Sequence, residues 1–346
     1  MIVTETRRRA VPARALAVLA AVLMIGAAVA VRQLVLDDED GTGGSVDGTQ
    51  GALTVVCVRE LRDVCAVLDA DVIVEGVDET LTRFAGGPSD VDAWLTFAPL
   101  ADEIAGAEDG AVLARTPLVL AARSDRAAVL RDHCGAQPTW RCLGTVADEP
   151  WSDIGGDARW GDVRPAHAEP VTSALGRLVV GQAVASYFGT DAFQPIDWQA
   201  DVDFGGWFQQ LERAVPADAF DSGVDPFARW IGTRPVGARY DAVATTEAQA
   251  LTRLATAAPD VRDAVMLIYP APMATADVVL QPAAEGLDVS SLDGALRAAL
   301  RDAGYRVDRS PPPGAPGDAG ALGDGDGLPA GAVLTALTAY WESVVR

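Results

Sequence analysis

Two adjacent hydroxyl side chains, Thr172 and Ser173, stand directly before a segment with helical periodicity, within the stretch RPAHAEPVTSALG. Short hydroxyl side chains at such a place accept hydrogen bonds from the first unpaired N–H groups of a helix. Those N–H groups and the positive end of the helix dipole can also hold a negative or acceptor-rich group of a ligand. The stretch therefore fits an ordinary N-cap, and it also fits a site in which Thr172 caps the helix while Ser173 meets a solute.

Catalytic and metal chemistry are disfavoured by the residue inventory. His167 and Ser173 together would suit a hydrolase, but no G-x-S-x-G motif surrounds Ser173. All 27 basic residues are arginine, which excludes a P-loop lysine and a Schiff-base lysine. His133 and His167 are the only histidines, and the cysteines are widely spaced, so a zinc site is not expected. We predict a protein that is not an enzyme and needs no metal or cofactor.

The four cysteines form two pairs with the same C-x7-C spacing, Cys57 with Cys65 and Cys134 with Cys142. Two local disulfides are the simplest pairing, although four cysteines allow three connectivities and buried thiols are the alternative. Disulfides would agree with an oxidising compartment outside the cytoplasm.

The N-terminus has the pattern of a membrane-targeting segment. Four arginines in residues 1–14 precede the largely apolar segment 15–36, and only Arg32 follows the uninterrupted apolar run, which places the N-terminus in the cytoplasm. The segment is long enough for a single transmembrane or signal-anchor helix in the cell membrane. Alternatively, Ala28-Val29-Ala30 fits a signal-peptidase site, and the protein would be secreted. The acidic, Gly-rich composition of residues 37–51 predicts a flexible linker, and we expect the rest of the chain to lie outside the cytoplasm in either case.

The composition limits the number of domains and the kinds of partner that the chain can have. The chain has 346 residues and 49% hydrophobic residues, enough for one large or two smaller globular domains. A net charge of −22 argues against nucleic acid as a partner, because phosphate backbones are bound by excess positive charge.

Apolar runs typical of strands alternate with short helical patterns, which indicates an α/β architecture with parallel strands. The predicted strands are 53–58, 72–74, 93–97, 112–122, 237–243, 265–270 and 278–280. The predicted helices are 60–68, 80–84, 173–188, 206–215, 247–255 and 294–303, with a final helix that has Val333, Leu337, Trp341 and Val344 on one face.

The order of these pieces resembles one family. From residue 53 to the end, the segments LTVVCVRELRDVC, DVDAWLTFAP, TPLVLAARSDRAAVL, RPAHAEPVTSALGRL, VGARYDAVATTEAQAL and VMLIYPAPMATADVVLQP follow one another. This sequence of features resembles the type II extracytoplasmic solute-binding proteins of ABC importers, in particular their membrane-tethered bacterial forms.

The resemblance implies a periplasmic-binding-protein-like fold of two lobes joined by hinge crossovers in residues 53–346. Lobe 1 would take about 53–115 and 275–346, and lobe 2 about 116–274. Loops at strand ends and helix N-termini would line a cleft between the lobes. Carried over by position, the ligand-binding candidates are Arg59, Glu60, Thr96, Phe97, Thr172, Ser173, Tyr240 and Thr245.

The implied function is the binding of a small solute in the cleft and its presentation to an ABC permease or another envelope partner. Two features differ from those usual in the family. They favour an alternative function, that of a sensory or interaction protein that keeps the fold but no longer takes part in transport. A transmembrane segment stands where a lipid-anchoring cysteine is typical, and no basic cluster marks an oxyanion site.

Overall fold

The structure is a computed structural model that describes residues 53–85, 90–103, 110–221, 223–284, 287–316, 319–323, 325 and 327–345. The predicted cytoplasmic segment 1–14, membrane segment 15–36 and linker 37–51 lie outside the described residues. Within the described ranges, no helix combines the length and the apolar character needed to span a bilayer.

Eight strands form one mixed sheet in the described part of the chain: β1 (Thr54–Val58), β2 (Asp71–Glu75), β3 (Ala93–Phe97), β4 (Ala111–Arg123), β5 (Pro165–Ala166), β6 (Ala242–Thr246), β7 (Val265–Ile268) and β8 (Thr275–Pro282). Their order is β2-β1-β3-β8-β4-β6-β5, and β7 pairs with β4 off this path. Strand β1 is parallel to β2 and β3, whereas β8 is antiparallel to β3 and β4. The predicted α/β class is confirmed.

Helices of the described residues are α1 (Arg62–Cys65), α2 (Val77–Ala85), α3 (Ala98–Ala101), α4 (Ser124–Cys134), α5 (Trp140–Val146), α6 (Ala174–Phe188), α7 (Pro195–Ala200), α8 (Phe204–Arg213), α9 (Pro226–Gly232), α10 (Glu247–Thr256), α11 (Pro259–Ala264), α12 (Asp293–Asp302) and α13 (Gly331–Val345). Short 3-10 turns precede or follow several of them, including Arg59–Leu61 directly after β1.

Strand β4 changes partners along its length. Residues 111–117 pair with β8, and residues 118–122 pair with β6. One long strand therefore belongs to two parts of the sheet, the β1–β2–β3–β8 part and the β5–β6–β7 part. The division into lobes at about 115/116 and 274/275 stays a prediction.

Helix α6 forms the centre of the larger hydrophobic core. All its residues from Ala174 to Tyr187 are buried, because the segment is predominantly apolar and its few polar side chains are buried with it. The C-terminal helix α13 packs against it so closely that a Cβ atom at Gly181 would lie 2.5 Å from the Leu334 side chain. The predicted docking of the last helix is thus confirmed.

Both predicted disulfides are present, Cys57–Cys65 and Cys134–Cys142. The first joins the end of β1 to α1, and the second joins the end of α4 to α5. No cysteine is left free.

Two predicted elements differ from the structure. The sequence predicts one helix over 60–68, whereas the structure has the 3-10 turn Arg59–Leu61 followed by α1. The strand expected at 237–243 begins only at Ala242. Gly237 has a positive φ of 84°, and the Tyr240 carbonyl accepts a hydrogen bond from the indole of Trp230 instead of joining the sheet.

Candidate ligand-binding site

A cavity of about 370 Å³ lies where the turn after β1 approaches the N-terminus of α6. Its size falls in the range of small-molecule sites, ~300–1,000 Å³. One wall consists of the β1 turn and the segment entering α6, and the other of the start of α9, one face of α10 and the end of α12. The turn follows the carboxyl end of a parallel strand, which is the usual location of ligand sites in α/β proteins.

The N-terminus of α6 is capped by Ser173. Its Oγ accepts a hydrogen bond from the N–H of Gly176 at 3.0 Å. The Thr172 hydroxyl instead donates to Glu169 Oε2 at 2.9 Å. The prediction that Thr172 caps α6 is therefore wrong, since Ser173 is the capping residue in the structure.

The carboxylate of Glu60 occupies the same helix N-terminus. Ser173 Oγ donates to Glu60 Oε1 at 2.6 Å, and the N–H of Leu175 donates to the same oxygen at 3.3 Å. A negative charge is stabilised there by the helix dipole and the unpaired N–H groups. The protein thus supplies its own anion at the position where an anionic ligand group would otherwise bind.

The loop after β2 also contacts this wall. The N–H of Val77 donates to the Thr172 carbonyl at 3.2 Å. A Cβ atom at Gly76 would lie 2.9 Å from the same carbonyl oxygen, so glycine permits the close approach. Arg59 lies beside Gly76 and forms an ion pair with Glu79 at 3.7 Å.

The opposite wall is held by Asp225. Its Oδ1 caps α9 by accepting from the N–H groups of Phe227 and Ala228. Its Oδ2 lies 2.7 Å from both Arg253 Nη2 and Gln249 Nε2. Three polar side chains of this wall are therefore already engaged with one another.

Tyr305 is the aromatic residue of the described lining. Its side chain is only 8% exposed, and its hydroxyl has no hydrogen-bond partner among the described residues. Burial, followed by the nearby charge of Glu60, raises the pKa of the Tyr305 phenol. The phenol therefore stays protonated and remains able to donate or accept a hydrogen bond.

No protein-family model and no curated protein sequence matches the chain. Solved structures with the same fold exist. A periplasmic thiamin binding protein matches 88% of this chain over 100% of its own length, with 12% identity and a TM-score of 0.52. Iron-bound HitA from Pseudomonas aeruginosa matches 85% of this chain over 98% of its length, with 11% identity and a TM-score of 0.50.

The chain has the fold of the periplasmic solute-binding proteins. The expected fold type is thereby supported over nearly the whole length of the described residues.

Within this solute-binding-protein fold, four of the predicted ligand-binding residues line the cavity: Arg59, Glu60, Thr172 and Ser173. They lie close together because the β1 turn and the α6 N-terminus meet there. Their contact with a ligand stays a prediction.

The other four predicted residues, Thr96, Phe97, Tyr240 and Thr245, are fully buried and do not line the cavity. Thr96 and Phe97 pair with β8 inside the sheet. Thr245 lies behind the far wall, where its hydroxyl donates to Gln249 Oε1 at 2.7 Å. Tyr240 belongs to the smaller hydrophobic core.

Sequence reasoning missed Glu169, Asp225, Gln249, Arg253 and Tyr305 as lining residues. Asp225 carried a usable signal, because aspartate before proline is typical of a helix N-cap followed by N1. Gln249 stands three residues after Thr246, the spacing of a capping box, and in the structure Thr246 Oγ1 accepts a hydrogen bond from the Gln249 N–H. Tyr305 gave no signal in the sequence.

Within the described part of the chain, no three His, Cys, Asp or Glu side chains are grouped so that they could hold a metal ion. The lining side chains include charged groups, hydroxyls and an amide, which can form hydrogen bonds and ion pairs.

Proposed function

We propose that the chain is an extracytoplasmic receptor that binds a small solute in this cavity and presents it to an ABC importer or another envelope partner. The observation that carries the proposal is the location of the cavity, between the carboxyl end of β1 and the N-terminus of α6, in a chain with the solute-binding-protein fold. Attachment to the cell membrane through residues 15–36 is part of the proposal, and two disulfides suit an oxidising location.

The contacts between the turn after β1 and the segment entering α6 support a closing motion. These segments are far apart in sequence and are joined by few hydrogen bonds, those of Ser173 and Leu175 to Glu60 and that of Val77 to the Thr172 carbonyl. Such bonds contribute about 1–3 kcal/mol each, so they can break and re-form as the two segments move. We expect the solute to shift this equilibrium by binding the closed form more tightly.

The second candidate function is a sensory or interaction protein that keeps the fold without transport duty. It is favoured by one specific observation, the occupation of the α6 N-terminus by Glu60. A side chain of the protein takes a ligand position there, although a cavity remains beside it.

Thermal unfolding with a broad solute library tests the receptor function. A solute that binds only the folded protein stabilises it by RT ln(1 + [L]/Kd), about 2.7 kcal/mol at a hundredfold excess over Kd. We expect at least one solute to raise the Tm of the wild type. Flat melting curves across the library would contradict solute binding and favour the second function.

Two tryptophan variants on α10 locate the binding site. Thr252 lines the cavity, whereas Thr256 lies on the same helix outside it, and both hydroxyls donate to a backbone carbonyl. We expect Thr252→Trp to abolish the solute-induced rise in Tm, because the indole fills the cavity. Thr256→Trp should retain it, and equal behaviour of the two variants would place the solute elsewhere.

A further inference from the structure

The charge balance of the cavity lining points to the class of solute. Among the described lining residues, five carboxylates face three guanidiniums. Arg253 is paired with Asp225, whereas Arg59 is paired with Glu79 and Asp221 with Arg229, two partners outside the lining. The remaining lining charges are the carboxylates of Glu60, Asp63 and Glu169 and the guanidinium of Arg62, so their net charge is negative.

Glu60 has one carboxylate oxygen available. Its Oε1 accepts from Ser173 and Leu175, whereas its Oε2 has no hydrogen-bond partner among the described residues. A carboxylate oxygen is acceptor-only when ionised. A ligand group that meets Glu60 in this cavity must therefore donate a hydrogen bond, and a positive charge on that group strengthens the bond.

Tyr305 is the second and independent observation. Its side chain is more than nine-tenths buried, it lines the cavity beside Glu60, and its hydroxyl lacks a partner in the described chain. The hydroxyl oxygen itself is not sealed from solvent, so it is accessible from the cavity that the side chain lines. A phenol can donate one hydrogen bond and accept others, and a bound solute can use it as a partner.

Glu169 adds negative charge to the same wall. It is 6% exposed and accepts from the Thr172 hydroxyl, so it lies at the inner side of the segment that enters α6. An anionic solute would meet two carboxylates here, and the α6 N-terminus that could have bound it is already occupied by Glu60.

We propose that the solute is a small organic cation with N–H donors, whose charged group binds Glu60 and whose donors also reach Tyr305 and Glu169. The inference rests on the proposed receptor function and names the chemical class of its solute. Glu60 then has a double role, since it fills the α6 N-terminus against anions and provides the counter-charge for a cation.

Three solutes with one carbon skeleton test the sign of the charge: diaminobutane, butanediol and succinate. Calorimetric titration at about 150 mM salt screens exposed charges beyond about 8 Å and leaves contacts in the cavity. We expect the wild type to bind diaminobutane at least about tenfold more tightly than butanediol, and succinate least of all, since a charged hydrogen bond exceeds a neutral one by that margin.

Glu60→Gln removes the charge and keeps an oxygen that can accept from Ser173 and Leu175. We expect it to weaken diaminobutane binding at least about tenfold. Glu149→Gln makes the same chemical change at an exposed residue away from the cavity, so its affinity should equal that of the wild type.

Tyr305→Phe tests the proposed binding site independently, and it can be used even if Glu60→Gln does not fold. Removal of a hydroxyl that no group of the described chain binds should leave the Tm of the free protein unchanged or higher, whereas loss of a ligand hydrogen bond lowers the affinity several-fold. Unchanged diaminobutane affinity in both variants would overturn the inference, and so would tighter binding of butanediol or succinate. Binding of a neutral or anionic solute in the cavity would leave the receptor function standing, whereas a chain that no solute stabilises would remove that function as well.

Discussion

Ser173 Oγ donates a hydrogen bond to Glu60 Oε1 over 2.6 Å, between residues 113 positions apart in the sequence. The contact joins the turn after β1 to the first turn of α6. Because Ser173 also caps α6, one hydroxyl links helix stability to the wall of the cavity. The electrostatics of the site follow from this pair, since the helix N-terminus and a carboxylate of the same chain satisfy each other.

Ser173→Ala should lower the free energy of unfolding by about 1 kcal/mol, because the α6 N-cap and the Glu60 contact are both lost. Urea denaturation measures the change. Ser343→Ala is the control, because Ser343 is exposed and donates only to the local Tyr340 carbonyl. If the two variants unfold at the same urea concentration, Ser173 does not carry the role assigned to it.

Gly176→Ala should destabilise the protein even though alanine is the better helix former. A Cβ atom at Gly176 would lie 2.3 Å from the backbone carbonyl oxygen of Ala168, in the segment that forms the cavity wall. The backbone must move, so we also expect weaker solute binding. Gly206→Ala in α8 is the matched control, because nothing lies within 4 Å of its Cβ position. It should stabilise the protein by up to about 1 kcal/mol, and equal effects at the two glycines would contradict the assigned close approach.

His167 is buried with an acceptor at each ring nitrogen. Nδ1 lies 2.8 Å from the Ala168 carbonyl and Nε2 lies 3.2 Å from Glu212 Oε2, which also accepts from the Trp341 indole. Both nitrogens can donate only in the imidazolium form. Burial lowers the pKa of His167, but the charge of Glu212 and the hydrogen bonds outweigh it, so the pKa lies above the ordinary 6.5.

The stability conferred by His167 should therefore depend on pH. A folded-state pKa above the unfolded value gives a contribution that is complete below about 6.5 and is lost as the pH rises through the folded pKa. Urea unfolding over this range should show a fall in stability for the wild type and a flatter profile for His167→Gln. Parallel profiles would mean that His167 is not bound as the imidazolium.

Arg306 and Glu247 form a fully buried ion pair, with Arg306 Nη2 2.6 Å from Glu247 Oε1 and Nε 2.7 Å from Oε2. Arg306→Met should cost about 3–5 kcal/mol of stability, because it leaves a buried carboxylate without its counter-charge. The double variant Arg306→Met, Glu247→Met should be more stable than this single variant. If the double variant loses as much unfolding free energy as Arg306→Met and Glu247→Met lose together, the explanation is wrong.

Local patterns predicted much of the fold and part of the site. The apolar run before Cys57 and the hydroxyl before Ala174 gave β1 and the start of α6, because strand and cap preferences act over a few residues. The wall opposite Ser173 could not be found this way. Tyr305 reaches the cavity only because α12 packs beside the β1 turn, and that contact joins residues far apart in the chain. The strand predicted at 237–243 begins late for a related reason, because the Trp230 indole, not a sheet neighbour, binds the Tyr240 carbonyl.

The location of a bound solute shows whether this cavity is the ligand-binding site of the receptor. A crystal structure grown with the solute that gives the largest rise in Tm should show it in the cavity, hydrogen-bonded to Glu60 and within reach of Tyr305, with the two walls in contact around it. A solute bound on another face of the protein, or a cavity closed by its own side chains in crystals that contain the solute, would mean that the cavity is not the receptor site.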